Sequence, residues 1–139
     1  MRELSAARKR TLALQERAIR FSTNVNQSYP RTGMSYPDEI VWAQLVRAAD
    51  STSNNLVEAD NGSTDADFLN RMRVALREAK ESHTCLRKIR LAPLENAQRV
   101  IGLGLEQEAD ELAAIFATII TNMEKRLARE RGESRRPKR

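Results

Sequence analysis

The stretch that decides the fold reads WAQLVRAADSTSNNLVEAD over residues 42–60 and NGSTDADFLNRMRVALREAKESHTCLRKI over residues 61–89. In both halves, apolar or small residues recur at alternating spacings of three and four, which places them on one stripe of an α-helix. The two stripes consist of Trp42, Leu45, Ala49, Thr52 and Leu56, and of Phe68, Met72, Ala75, Ala79, Ser82, Leu86 and Ile89. The pattern predicts two long helices that follow each other closely.

The connection between these helices carries stop and start signals. Asn61 and Gly62 suit the end of a helix, because both residues tolerate the left-handed backbone found there. Ser63 or Thr64 can cap the next helix, and Asp67 lies three residues after Thr64 as its capping-box partner. A connection this short predicts an antiparallel helical hairpin.

Two further helices flank the hairpin. One apolar stripe runs from Leu4 to Val25 and another from Leu105 to Met123, while Ser35 before Pro37 marks the start of the hairpin's first helix. We expect helices near residues 3–27, 36–60, 64–91 and 95–131. The sequence therefore predicts an all-α fold, an antiparallel up-down-up-down four-helix bundle over residues 1–131. Gly132 and Pro137 oppose helix, so residues 132–139 are expected to form a disordered basic tail.

The composition narrows the class of protein. A chain of 139 residues suits one domain, and its formal net charge is +5. No run of about 18 apolar residues is present, so no membrane span is expected. The charged N-terminus does not resemble a secretory signal, and the single cysteine forms no internal disulfide. These features favour a cytoplasmic protein.

Catalysis finds little support in the sequence. His83 is the only histidine, and it continues a row with Leu69 and Leu76 at the edge of the predicted core. Cys85 has no second cysteine near it, and no Glu-x-x-His pair exists for a di-iron bundle. We therefore expect no catalytic residue, no metal site and no cofactor, and we expect the protein not to be an enzyme.

The hairpin resembles the bacterial 23S rRNA intervening-sequence protein family. The likeness lies in the run QLVRAADSTSNNLVEAD and in the start and middle of the following helix. The matching positions are Gln44, Arg47, Ala48, Ala49, Ser51, Asn54 or Asn55, Leu56 and Glu58, then Ser63, Asp67, Phe68, Ala75, Glu78, Ala79 and Glu81. Ala59 departs from the pattern, since the family has glycine there.

This resemblance implies a function. Proteins of the family resemble the accessory protein of diversity-generating retroelements, a four-helix bundle that forms a pentamer and binds nucleic acid and a reverse transcriptase. By resemblance, the chain is expected to form a homo-oligomer, a pentamer, and to bind RNA or DNA. A reverse transcriptase is a further partner that the resemblance implies.

A row of polar residues borders the apolar stripe of the predicted second helix. It comprises Arg47, Ser51, Asn54, Asn55 and Glu58. Spacings of four, three and four place most of these residues on one face. The row either forms a structural network that sets packing or assembly, or it binds phosphate or a partner chain. The structural interpretation is favoured, because polar seams are a known device for fixing orientation.

Positive charge is concentrated in a group of Arg8, Lys9 and Arg10 with Arg17 and Arg20, and in two further places. Arg73, Lys80 and Arg87 are seven residues apart and are predicted to form one exposed stripe. The C-terminal segment contributes Arg129, Arg131, Arg135, Arg136, Lys138 and Arg139. Both sets can neutralise phosphates by counterion release without reading bases, and the low aromatic content argues against base stacking. The alternative for both is a solvated surface.

Two functions from different classes follow. The first is a non-enzymatic, oligomeric nucleic-acid-binding accessory protein, which contacts the backbone of RNA or DNA. The alternative is a protein-binding adaptor bundle with no nucleic-acid role, in which the basic tail only improves solubility. The salt dependence of binding distinguishes the two functions, because binding to a phosphate backbone weakens steeply as the salt concentration rises.

Overall fold

The computed structural model describes residues 3–62 and 64–134, and within those ranges it is all-α, as predicted, with no β-strand. Five helices are present in the described chain. They are α1 (Ala6–Ser28), α2 (Tyr36–Asp60), α3 (Asp65–Leu91), α4 (Ala97–Gly102) and α5 (Leu105–Ser134).

Three of the long helices begin at a hydroxyl residue that caps them. The Ser5 Oγ accepts a hydrogen bond from the Arg8 N–H at 3.1 Å, and the Thr64 hydroxyl accepts one from the Asp67 N–H at 3.0 Å. Ser35 caps α2 in the same way. These bonds satisfy backbone donors that have no partner inside the helix. Of the two residues expected to cap α3, Thr64 does so, while Ser63 lies outside the described residues.

The core is one continuous cluster to which every helix contributes. Its largest fully buried side chains include Trp42, Phe21, Phe116 and Met72. The Trp42 indole N–H donates to the carbonyl oxygen of Glu95 at 3.2 Å, and its ring meets Tyr29 edge-on at 6.0 Å between centroids. The buried indole is therefore hydrogen-bonded as well as packed, as buried tryptophans require.

Neighbouring long helices are joined by side-chain pairs in a regular order. In each pair of neighbouring helices, the residue number of the paired side chains rises along one helix as it falls along the other. The pairs are Arg8 with Asp60 and Asn26 with Asp50 between α1 and α2, Asn55 with Arg71 and Arg47 with Glu81 between α2 and α3, and Arg73 with Glu124 and Arg90 with Glu106 between α3 and α5.

The last part of the chain differs from the sequence prediction. Instead of one helix over residues 95–131, α4 ends at Gly102, and α5 begins at Leu105. Gly104 between them has a φ of +66°, a left-handed conformation that glycine adopts without the strain of a Cβ. The kink brings Leu105 into the core, where it is 2% exposed.

The first residues of the predicted disordered tail are helical. α5 continues through Gly132 to Ser134, so three residues of the predicted tail are helical. A single glycine costs a helix only about 1 kcal/mol, which the preceding turns can tolerate. Residues 135–139 lie outside the described part of the chain. No helix of the described ranges combines the length and apolarity that crossing a membrane requires.

The two glycines around the kink give a matched test. Gly104→Ala places a Cβ on a left-handed residue and is expected to lower the free energy of unfolding by about 1–2 kcal/mol. Gly102→Ala meets no atom within 4 Å and lies in α4, so it should raise stability by about 0.5–1 kcal/mol. Urea unfolding followed by circular dichroism measures both. Equal effects of the two substitutions would contradict the assigned kink.

Candidate functional site

Arg47 on α2 is held by two carboxylates of α3. Its Nη2 lies 2.7 Å from Oε1 of Glu81, and its Nη1 lies 3.3 Å from Oε2 of Glu78. The Glu78 side chain is only 7% exposed, and its Oε2 accepts no hydrogen bond from a described residue. The contact with Glu78 is thus an attraction between charges without the alignment of a hydrogen bond. We call Arg47, Glu78 and Glu81 the Arg47 cluster.

The Arg47 cluster affects the acidity of its members. The hydrogen bond from Arg47 lowers the pKa of Glu81 below its ordinary value, against the opposing effect of partial burial. Arg47 is therefore already neutralised within the chain, and Glu78 depends on it as a counter-charge. Removing Arg47 would leave a buried carboxylate without its partner, which is costly in proteins.

The rest of the predicted polar row separates into different environments. The Asn55 Nδ2 donates to the Ser51 hydroxyl at 3.0 Å, and its Oδ1 accepts from Arg71 of α3 at 3.3 Å. Asn54 and Glu58 are exposed. The row is therefore not one network: Ser51 and Asn55 connect to α3 at one level, and the Arg47 cluster connects at another.

Sequence reasoning matched Glu78 and Glu81 to a family pattern but did not identify them as the partners of Arg47. The register of the hairpin could have indicated them. Counting equal distances back and forward from the turn places Arg47 opposite the segment around Ala79. The two carboxylates on either side of that residue were the candidates.

The basic stripe of Arg73, Lys80 and Arg87 is exposed on α3, as expected, but it borders acidic residues of α5. Arg73 lies 3.7 Å from Glu124, and Lys80 lines the same cavity as Asp110. Glu106 has its pKa lowered chiefly by hydrogen bonds from Arg90, with smaller contributions from the charges of His83 and Arg87. Carboxylates thus accompany the stripe along its length and weaken its attraction for phosphate.

A second basic group lies where α1 begins and α5 approaches its end. Lys9, Arg10, Lys125 and Arg129 are exposed, and none of them forms an ion pair with another residue of the described ranges. We call these four residues the basic end.

Two carboxylates near the basic end are already paired. Arg8 binds Asp60 at 2.7 Å, and Arg126 lies 3.4 Å from Asp65, the first residue of α3. These pairs place the start of α1 and the last turns of α5 at the same end of the molecule, beside the turn between α2 and α3. Arg131 is exposed there as well. The remaining predicted contacts, Arg135, Arg136, Lys138 and Arg139, lie outside the described residues.

The two residues considered for catalysis both lie on α3. His83 is half-buried on α3, and Cys85 is buried, where desolvation raises the pKa of its thiol and keeps the thiol protonated. Among residues 3–62 and 64–134, no three His, Cys, Asp or Glu side chains come together as a metal site would require.

The fold is similar to that of a protein of known structure. That structure is the crystal structure of a protein with unknown function from the S23 ribosomal protein family of Bacteroides thetaiotaomicron VPI-5482. The two superimpose with a TM-score of 0.65, cover 80% of this chain and 97% of that chain, and are 20% identical. At this identity the likeness shows the fold alone. No protein-family model matches the sequence, and no curated protein does.

The Arg47 cluster makes a prediction about stability. Arg47→Gln should lower the free energy of unfolding at pH 7 by about 1–3 kcal/mol, because it removes the nearer counter-charge of the buried Glu78 carboxylate and leaves only the exposed Arg77 beside it. Arg77→Gln is the matched control. Arg77 is 71% exposed and lies 3.8 Å from Glu78, so its loss should cost less than about 0.5 kcal/mol. Urea unfolding of the three proteins gives the values.

The same variant carries a pH signature. The folded-state pKa of Glu81 is lowered, so its contribution is complete above the unfolded pKa and is lost as pH falls through the folded pKa. The gap in stability between the parent and Arg47→Gln should therefore shrink between about pH 5 and pH 3. A gap that stays constant over this range would mean that Arg47 acts by packing rather than by charge.

Proposed function

We propose that this protein is a non-enzymatic, oligomeric nucleic-acid-binding accessory protein of the 23S rRNA intervening-sequence type. Its long helices α1, α2, α3 and α5 form an antiparallel up-down-up-down bundle, and its place of action is the cytoplasm. By the family resemblance, a reverse transcriptase of a diversity-generating retroelement is a further partner. The likeness in fold to a protein of the S23 ribosomal protein family supports the bundle in this proposal.

The observation that carries the proposal is the basic end. Its four cations are exposed and form no ion pairs with described residues, while Asp60 and Asp65 beside them are neutralised by other arginines. Unpaired cations release counterions from a phosphate backbone most effectively, because they need not first break a contact within the protein. The C-terminal residues of the sequence, RRPKR, add four more positive charges beyond α5.

The expected mode of binding is contact with phosphates. The chain has only six aromatic residues, and the large ones are largely in the core, where Trp42, Phe21 and Phe116 are at most 1% exposed. Stacking on single-stranded bases requires exposed aromatic faces. Arginine and lysine side chains on a helix instead suit backbone contacts to a duplex. We place the stripe of Arg73, Lys80 and Arg87 second to the basic end, because α5 carboxylates accompany it.

Assembly into a closed homopentamer is part of the proposal. Large apolar side chains remain at the surface of α1, of the segment before it and of the first turns of α2. Tyr36 is 75% exposed, Leu4 51%, Ile19 41% and Ile40 39%. An oligomer would remove such side chains from water, which is the usual reason for apolar surface of this kind.

Charge removal at the two basic surfaces tests the nucleic-acid function. Lys125→Gln with Arg129→Gln should weaken binding to a short RNA or DNA duplex and reduce the slope of log K against log salt by about 2. Neither residue is buried, so the melting temperature should stay nearly unchanged. The triple change of Arg73, Lys80 and Arg87 to Gln serves as the comparison, and we expect it to have the smaller effect. Fluorescence anisotropy over a salt series measures both.

The outcomes separate the alternatives. Duplex binding by the parent that is undetectable or independent of salt would exclude the proposed function and favour an adaptor. Binding that is lost in the triple variant but kept in the double variant would transfer the site to α3.

Light scattering tests the assembly. The proposal predicts a mass about five times the 15.8 kDa of one chain across micromolar concentrations. Replacing Tyr36 and Ile40 with Ser should shift the mass towards the monomer, because it removes exposed apolar surface without touching the core. A monomer mass for the parent protein at all concentrations would contradict this part of the proposal.

A further inference from the structure

A groove runs along the surface between α3 and α5. It contains two neighbouring cavities of about 290 Å³ and about 320 Å³, which share His83 and Asp110 as lining residues. The first cavity lies under α4, and the second lies further along α5 towards its middle. The two cavities therefore adjoin each other at His83 and Asp110.

The floor of the groove is apolar, and part of it is built from small residues. Leu86, Val100 and Ile101 line the first cavity, and Ile101 is 44% exposed. Ala113, Ala114 and Ala117 line the second. Alanines at successive turns allow another backbone to approach closely, while the larger apolar residues provide a pocket for an inserted side chain.

The two rims of the groove carry opposite charges. α3 contributes Lys80 and α5 contributes Asp110, and neither forms an ion pair with any residue of the described chain. At one end Arg90 bridges the rims, with hydrogen bonds of 2.8 and 3.1 Å to Glu106. At the other end Arg73 lies 3.7 Å from Glu124.

The length of the open stretch indicates what it can hold. From Glu106 to Glu124 α5 advances eighteen residues, about 27 Å along the helix axis. The centres of the two sets of lining residues are about four residues apart along α3 and about six along α5, which corresponds to roughly 6–9 Å. Side chains at positions i and i+4, or i and i+7, of an α-helix have this separation.

We propose that the groove between α3 and α5 binds an amphipathic α-helix of a partner protein. The helix inserts two apolar side chains, one or two turns apart, into the two cavities. It presents a carboxylate on the flank that faces Lys80 and an ammonium or guanidinium group on the flank that faces Asp110. Charge complementarity selects this occupant, because both rim charges lack a partner and have opposite signs.

The rims also argue against the other occupants of a surface groove. A phosphate backbone would meet Asp110, which lines both cavities, and Glu106 one turn away on the α5 side, so nucleic acid is disfavoured here. The inference is independent of the proposed nucleic-acid function, which uses the basic end. A protein helix and a duplex can therefore occupy the same molecule at once.

A synthetic helical peptide of about 18 residues is the probe. It carries leucines on one stripe, Glu along one flank and Lys along the other, and fluorescence anisotropy measures its binding to the full chain. A control peptide with the same leucines and Gln on both flanks should bind about 3- to 10-fold more weakly, since two rim pairs are lost. Equal binding of the two peptides would overturn the assigned charge recognition.

A matched pair of protein variants tests the location. Ala114 is exposed and lines the second cavity. Ala114→Arg should therefore fill the groove and weaken binding of the mixed-charge peptide at least about tenfold. Ala13→Arg adds the same side chain at an exposed position on α1, which lines neither cavity, and should leave binding unchanged. If both variants bind the peptide like the parent, the groove is not the site.

Direction of binding provides a test that a nonspecific contact would not pass. Turning a helix end to end in the groove exchanges its flanks, so the double variant Lys80→Glu with Asp110→Lys should bind the same mixed-charge peptide in the opposite direction. A nitroxide at the peptide N-terminus should then broaden amide signals at the opposite end of the groove. An unchanged direction would contradict the proposal. A change in oligomer mass in Ala114→Arg alone would instead assign the groove to contacts between copies.

Discussion

The close packing of α2 against α3 is the constraint on which the rest of the structure depends. Its seam consists of small residues that are fully buried, among them Ala49, Thr52, Ala75, Ala79 and Ser82, each 0% exposed. The hydroxyls of Thr52 and Ser82 donate to carbonyls one turn back in their own helices, at 2.8 and 2.9 Å. The seam therefore buries polar side chains with their donors satisfied, and it allows the two backbones to approach closely.

This approach determines where charge can be compensated. Because α2 lies close to α3, the Arg47 side chain reaches Glu78 and Glu81 across the seam, and the cluster is satisfied within one chain. The opposite side of α3 then faces α5, whose acidic residues accompany the basic stripe. The basic end, formed where α1 begins and α5 approaches its end, keeps four exposed cations without an ion pair among the described residues. The proposed function follows from this distribution rather than from the net charge.

The helix bounds and the buried face of the α2–α3 hairpin could largely be predicted from the sequence, because helical periodicity and capping are local patterns. The helices expected near 36–60 and 64–91 are Tyr36–Asp60 and Asp65–Leu91 in the structure, and the residues of both predicted stripes are buried except for Phe68, which is half-buried. Periodicity and capping depend on neighbours in the chain, so a sequence displays them directly.

The features that sequence reasoning missed depend on tertiary contacts. The apolar stripe from Leu105 to Met123 indicated that Leu105 would be buried, but it did not indicate the break at Gly104 that separates α4 from α5. The acidic surroundings of the stripe at Arg73, Lys80 and Arg87 depend on the register of α3 against α5. A helical periodicity shows which residues share a face but not which residues of another helix lie opposite.

An NMR titration with a short RNA or DNA duplex tests the central claim most directly, because it reports on both basic surfaces of the same molecule. The account predicts that amide and side-chain signals of Lys125 and Arg129, together with those of Lys9 and Arg10, shift with added duplex and return as salt is raised. Signals of Lys80 and the groove between α3 and α5 should stay in place. Shifts confined to the groove, with the basic end unchanged, would contradict the account.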